Sequence, residues 1–294
     1  MAIQGLNSEW ITQEKGKIPQ AKVDWVIHKR LDLPYGQHPL QRLDLYLPDA
    51  GSGPFPVVVN VHGGGFVHCD KRDFHLYPTF YALLRGYAVV AVNYRLSPGA
   101  RYPAQVQDVA DALKYLGQEG EGLGLDTRRV FLWGTSAGGN IVLHLACAQG
   151  LVPRKDACRL LGTAAFCPLT SLDTLKVKGG LMAQLRAGLM LRYMVRSMFG
   201  TLRPSPEQRA QVDVGRYLSG GLCPIYLQHG ENDPALPIAA AREFAGRLAG
   251  VLPEGSLVFD ELKGARHAGD GADFFLPQHI HPVLDFFDRL QGKP

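Results

Sequence analysis

The sequence has no pair of cysteines at C-x-x-C spacing, so paired-cysteine zinc chemistry and thioredoxin-like chemistry are not expected. Its five cysteines are Cys69, Cys147, Cys158, Cys167 and Cys223, an odd count that fits free thiols in a reducing compartment. No apolar stretch approaches the roughly 20 residues of a membrane span. The N-terminal MAIQGLNSEW lacks a basic start followed by an apolar run, so no signal peptide is expected and a cytoplasmic location is. A net charge of +4, scattered along the chain, is too mild to expect a nucleic-acid partner. There is no internal repeat and no low-complexity tract.

What remains is ordinary for a soluble enzyme: 46% hydrophobic and 20% charged residues over 294 positions, enough for a sizeable core. Residues 23–31 and 40–47 read as strands, the second by its alternation of Leu43, Leu45 and Leu47, with turn chemistry in the intervening PYGQHP. Residues 55–61 (FPVVVNV), 86–92, 129–133, 161–167 and 224–228 are short, nearly continuous apolar runs. Such strands are buried on both faces, as in a parallel sheet covered by helices. Helical patterns over 74–85, 103–117, 139–149, 238–250 and 280–290 alternate with them. The order predicts an α/β fold with a mostly parallel sheet. Residues 171–219 break the alternation. Their apolar, methionine-rich and basic part, 181–200, reads as a helical lid over a pocket, or alternatively as a membrane-surface helix.

Residues 134–139 read GTSAGG, directly after an apolar strand and before a stretch of small residues. Strand, tight turn and helix are the context of a nucleophile elbow, with Ser136 as nucleophile. A serine hydroxyl needs a base, an orienting acid and donors for a developing oxyanion. The helix N-terminus makes the amide of Ala137 one candidate donor. HGGGF (62–66), after strand 55–61, is a loop type that supplies others, and Phe66 is a candidate substrate-binding residue. Asp233, in HGENDP after strand 224–228, is the leading acid, with Glu231, Asp260 and Glu261 as alternatives. The alternative role for Asp233 is to cap a following helix with Pro234 in its first turn. His267, in a glycine-bearing loop after strand 256–261, is the leading base, with His279 and His281 behind it. His62 is expected to anchor its loop and His144 to be packed.

HGGGF, YRLSPGARYPAQVQDV, GTSAGGN, HGENDP and the late histidine, in this order, resemble the hormone-sensitive-lipase-like (family IV) α/β-hydrolase esterases over about 55–290. The ending, GARHAGDGADFFLP then VLDFFDRL, is more similar to the feruloyl-esterase-like (BD-FAE) branch. The resemblance implies an α/β-hydrolase fold, with a mostly parallel central sheet, helices on both faces and a helical cap insertion. The chain is expected to form a single domain, with a core of 23–170 and 220–294, a cap insertion of 171–219 and an N-terminal arm of 1–22. The resemblance also implies Ser136, Asp233 and His267 as a catalytic triad, and the amides of Gly64, Gly65 and Ala137 as an oxyanion hole, with no metal or cofactor. Thr135 stands where many relatives carry Asp. The expected activity is serine carboxylesterase action on small acyl, acetyl or feruloyl esters. An arylformamidase and a non-catalytic small-molecule receptor are the alternatives. A homodimer is plausible by analogy alone.

Overall fold

The computed structural model describes residues 11–12, 18–147, 151, 158–175, 181–218, 221–268 and 272–293. Most of the expected N-terminal arm lies outside these residues. So do residues 148–149 of the expected helix 139–149, residues 176–180 and 219 of the expected cap, and residues 269–271 of the segment GARHAGDGADFFLP.

Strands β1 (Ile11–Thr12) and β2 (Gln20–Ala21) form a separate antiparallel ribbon. The central sheet contains β3 (Lys29–Pro34), β4 (Arg42–Tyr46), β5 (Phe55–Val61), β6 (Ala88–Val92), β7 (Leu125–Thr135), β8 (Leu160–Phe166), β9 (Ile225–Gly230) and β10 (Leu257–Leu262). Their order is β10-β9-β8-β7-β5-β6-β4-β3. Strand β4 pairs antiparallel with β3 and β6, and every other pairing is parallel.

The apolar runs form the middle of this sheet because both faces are covered. In β5, Val57, Val59 and Val61 enter one core cluster and Val58 enters the other. In β7, Val130 and Leu132 face one way and Phe131 and Trp133 the other. This is the period of two that a pleated strand imposes. Helices α2 (Ala104–Glu119), α3 (Ala137–Ala146) and α6 (Ile238–Ala249) contribute to the first cluster; α1 (Phe80–Leu84) and α7 (Pro277–Leu290) contribute to the second. Helices α4 (Leu181–Phe199) and α5 (Pro206–Val212) lie between β8 and β9 in the chain, and no strand occurs among the described residues of 171–219. The architecture is that of an α/β hydrolase with a helical insertion.

Two local expectations need correction. The strand expected over 23–31 begins only at Lys29, because the amide of Val26 donates to the carbonyl of Val23 at 3.2 Å and closes a turn. Ile27 accordingly points to solvent, 72% exposed. The helix expected over 74–85 is a 3-10 helix, Phe74–Thr79, followed by the short α1. Pro78, inside that first segment, has no N–H to donate to an α-helical ladder.

The contact between β5, β7 and α3 sets how tightly the layers close. A Cβ on Gly138 would stand 2.1 Å from the carbonyl oxygen of Val61 and 2.5 Å from that of His62, both backbone atoms. A Gly138→Ala substitution must therefore push α3 off the sheet. We expect it to lower unfolding free energy by about 1–3 kcal/mol or more, measured by urea denaturation against the parent chain.

Candidate active site

Ser136 lies between the last residue of β7 and the first of α3, at φ 55° and ψ −111°. Such a conformation costs a non-glycine residue roughly 1–3 kcal/mol and persists only where its surroundings enforce it. Here the Ser136 amide donates to the carbonyl of Phe166 at 2.8 Å, and its carbonyl accepts from the amides of Asn140 at 3.1 Å and Leu169 at 3.3 Å. Gly134 and Gly138 leave the space: a Cβ on Gly134 would be 2.4 Å from the carbonyl oxygen of Gly138.

His267 stands in the loop after β10, and Asp233 in the loop after β9. The Ser136 hydroxyl donates to His267 Nε2 at 3.0 Å, and His267 Nδ1–H donates to Asp233 Oδ2 at 2.6 Å. The three leading residues thus form one hydrogen-bonded row at the carboxyl ends of parallel strands, where open α/β sheets gather ligands. The alternative acids are engaged elsewhere. Glu231 accepts from the Gly264 amide, Asp260 accepts from Tyr226 and Gln228, and Glu261 pairs with Arg242. Of the alternative bases, His281 accepts from Arg85 at the far end of the chain, and His279 lies on the same helix α7.

Asp233 uses both oxygens. Oδ1 accepts from the amides of Ala235 and Leu236, each at 2.8 Å. This is a turn of its own rather than a helix cap, since α6 starts only at Ile238. Burial by itself pushes the carboxyl's pKa up. Hydrogen bonds from His229 and His267, the charge of His267 and the Leu236 amide outweigh it and hold the group well below its ordinary value. His229 is the first residue of the HGENDP segment. Fully buried, its Nε2–H donates to the Leu236 carbonyl at 2.7 Å and lies 3.4 Å from Asp233 Oδ2. It therefore ties both ends of the turn together. Its only sequence signal was its place four residues before the acid.

The glycine loop is anchored from below. His62 Nδ1 lies 2.9 Å from the Gly63 carbonyl, and its ring stacks on Tyr94 at 4.3 Å. The Tyr94 hydroxyl donates to the carbonyls of His62 and Gly63. Gly64 and Gly65 take φ of 94° and 60°, open to glycine and strained for other residues. Gly65 and Ala137 border the cavity beside Ser136 and His267. As the first residue of α3, Ala137 has an N–H without an intrahelical acceptor. Phe66 departs from expectation. At φ 65° its side chain turns into the core, 0% exposed, and packs edge-on against Tyr102 at 5.3 Å. It does not line the cavity.

That cavity holds about 170 Å³. Its walls are apolar: Leu169 and Leu236 from the core, Leu175 from the start of the insertion, and Met190, Leu191 and Met194 from α4. The segment expected to be a lid thus covers the serine. Asn140, quoted in GTSAGGN but given no role from sequence, fastens the lid. Its Nδ2 donates to the carbonyls of Leu169 and of Val212 in α5, and its Oδ1 accepts from Tyr102. His144 is packed as expected, and burial pushes its pKa down to about 3.

The BD-FAE family model matches residues 43–248, more than half of the chain and all of the elbow and acid loop. The chain belongs to the BD-FAE family. This BD-FAE member is 37% identical over 224 residues to carboxylesterase 20 of Arabidopsis thaliana, covering 72% of this chain and 58% of that protein. It is 43% identical over 107 residues to the gibberellin receptor of Oryza sativa subsp. japonica, covering 34% of this chain and 30% of the receptor. The chain spans less than two thirds of the length of these curated relatives. Among solved structures, a truncated carbohydrate esterase from gut microbiota superposes with a TM-score of 0.77 at 16% identity. That match covers 92% of this chain and 99% of the other, a likeness of fold. No helix among the described residues is long and apolar enough to cross a membrane.

The depressed Asp233 carboxyl has a pH consequence. Its contribution to stability is present above its unfolded value of 3.8 and is lost as pH falls below that. The stability gap between the parent chain and Asp233→Asn should therefore be widest near neutrality. It should shrink as pH falls from about 5 to about 2, read by urea unfolding across that range.

Proposed function

We propose that this chain is a serine carboxylic-ester hydrolase that works through an acyl-enzyme on esters with a small acyl group. The observation that carries the reading is the Ser136–His267–Asp233 row, at 3.0 and 2.6 Å, opening onto an apolar cavity. Ser136 Oγ attacks the ester carbonyl while its proton passes to His267 Nε2. Asp233 accepts from Nδ1–H, keeps the imidazole in the required tautomer and stabilises the imidazolium. The tetrahedral oxyanion takes hydrogen bonds from the amides of Gly64, Gly65 and Ala137, each such donor worth about 2.7–4 kcal/mol. His267 then protonates the leaving alcohol, and the acyl group stays on Ser136. Water, deprotonated by His267, releases the acid and restores the serine. Every step uses protein groups alone.

The cavity bounds the acyl group. An apolar cavity of about 150 Å³ admits a benzene-sized guest, and this one is of that order. Acetyl to butyryl esters, and acids with a single ring such as the feruloyl group, match it better than long chains. In this reading residues 23–170 and 220–294 are the catalytic core and 171–219 the cap that sets acyl preference. The similarity to a gibberellin receptor supports a second reading, a small-molecule receptor on the same fold. It predicts binding without turnover.

Hydrolysis of p-nitrophenyl acetate, butyrate, octanoate and laurate separates the two. We expect turnover of the short esters, with kcat/KM falling by about 10⁴-fold or more in Ser136→Ala and in Asp233→Asn. No turnover, or equal rates in Ser136→Ala, defeats the hydrolase reading and leaves the receptor, with an N-formyl aryl substrate as the remaining enzyme assay. Met194 stands over Gly65, with its sulfur 3.3 Å from where a Cβ would be. Met194→Ala should widen the acyl site and raise the octanoate-to-acetate ratio of kcat/KM several-fold.

A further inference from the structure

A second group of chemically active side chains packs against Gly64 and plays no part in the proposed reaction. Cys69 is held at φ 80°, a left-handed conformation that a cysteine rarely adopts, and it is partly exposed while the other four cysteines are buried. Burial, and then the nearby Asp73 carboxylate, push its thiol pKa up. Asp73 is fully buried and fixed by the His75 amide and by His75 Nδ1–H, each at 2.9 Å. One ligand atom each from Cys69, Asp73 and His75 lies within 4.8 Å of the others. On the solvent side, the exposed His68 places Nδ1 3.7 Å from Cys69 Sγ.

We infer that Cys69, Asp73 and His75, with His68 as the fourth ligand, form a binding site for a divalent cation of the zinc class. The donor set is one thiolate, one carboxylate and two imidazoles, which suits a borderline-soft ion. Zinc–sulfur and zinc–nitrogen bonds of about 2.3 and 2.0–2.1 Å at a tetrahedral angle put sulfur and nitrogen about 3.6 Å apart. The Cys69–His68 pair already has that spacing, Cys69, Asp73 and His75 need to close on one another by about 1 Å, and His68 must swing in from outside that group. Binding releases the Cys69 thiol proton to solvent and forms the metal–sulfur bond, and each imidazole coordinates through a nitrogen that carries no hydrogen. The absence of a C-x-x-C pattern does not bear on this site, since it has a single sulfur and its four ligands fall at positions 68, 69, 73 and 75.

The site also touches the loop beside the serine. A Cβ on Gly64 would stand 2.6 Å from His68 Nδ1 and 2.8 Å from Cys69 Sγ, so a cation drawn between those atoms pulls on the loop. That consequence for turnover rests on the hydrolase reading; the binding itself does not.

Titration of the intact chain with cobalt(II), followed by displacement with zinc, tests the site without any assay of activity. We expect a thiolate-to-cobalt charge-transfer band that saturates at one ion per chain, disappears in Cys69→Ser and needs at least about tenfold more metal in His68→Ala. Thermal melts of the metal-free variants establish that both remain folded. No band in the parent chain overturns the site. A band of equal strength in Cys69→Ser also overturns it, and assigns the ion instead to Cys167, Asp233 and His267, the other such cluster among the described residues. Zinc should slow turnover in the parent chain and not in Cys69→Ser. A saturating cobalt band with unchanged turnover overturns the link to the glycine loop.

Discussion

Ser136 takes a backbone conformation that serine avoids, and the geometry of the site follows from how it is held there. Strand β7 runs into α3 with no intervening loop, so the chain must reverse at one residue. The reversal is possible because two glycines let backbone meet backbone, Gly134 against Gly138 and Gly138 against Val61. The strain is contained by hydrogen bonds on both sides of the residue, to Phe166 and from Asn140 and Leu169. The side chain is thereby lifted toward the ends of the strands, and the first amide of α3 is left beside it. A longer, relaxed turn would give neither result.

The rest of the site is arranged to receive that side chain. A buried carboxylate is costly unless it is fully hydrogen-bonded, and Asp233 meets the condition with one oxygen on two amides and the other on His267. His229 holds the carbonyl end of the same turn. The carboxylate is fixed by the protein's own groups, and the imidazole bonded to it is fixed with it. The same logic governs the glycine loop. Its carbonyls at His62 and Gly63 are satisfied by the Tyr94 hydroxyl, which holds the loop from the core side.

The insertion between β8 and β9 makes the serine's surroundings apolar. Met190, Leu191 and Met194 close one side of the cavity, and Asn140 ties α3 to the carbonyl of Val212 in α5. Thus the residue four places after Ser136 couples the tight turn to the lid. The outer side of α4 carries Leu189 and Tyr193 into solvent, so its polarity does not follow a simple inside–outside rule.

Strand β5 and the elbow could be read from the chain because their signals are local. The nearly continuous apolar run from Val57 to Val61, glycine at the turn and a helix of small residues are nearest-neighbour properties, and the order Ser136, Asp233, His267 follows the strand order. What the sequence left open were meetings across distance. Asp233, Glu231, Asp260 and Glu261 all stand near strand ends, and only the packing of β9 beside β10 decides which carboxylate reaches His267, 34 residues away. Phe66 sits beside the glycines in sequence, yet its left-handed φ turns it into the core. Residues 23–28 have the composition of a strand, but the turn between Val23 and Val26 ends that pattern. Asn140 lies inside a motif, but its role depends on Tyr102, Leu169 and Val212 from other elements, while Cys69, Asp73 and His75 are close in sequence at spacings that match no metal motif. By itself the sequence determined the sheet and the tight strand-to-helix turn that carries Ser136, through periodicity and turn chemistry. The partners of that serine and the shape of the space before it were decided by tertiary structure, since they depend on which loops the sheet brings side by side.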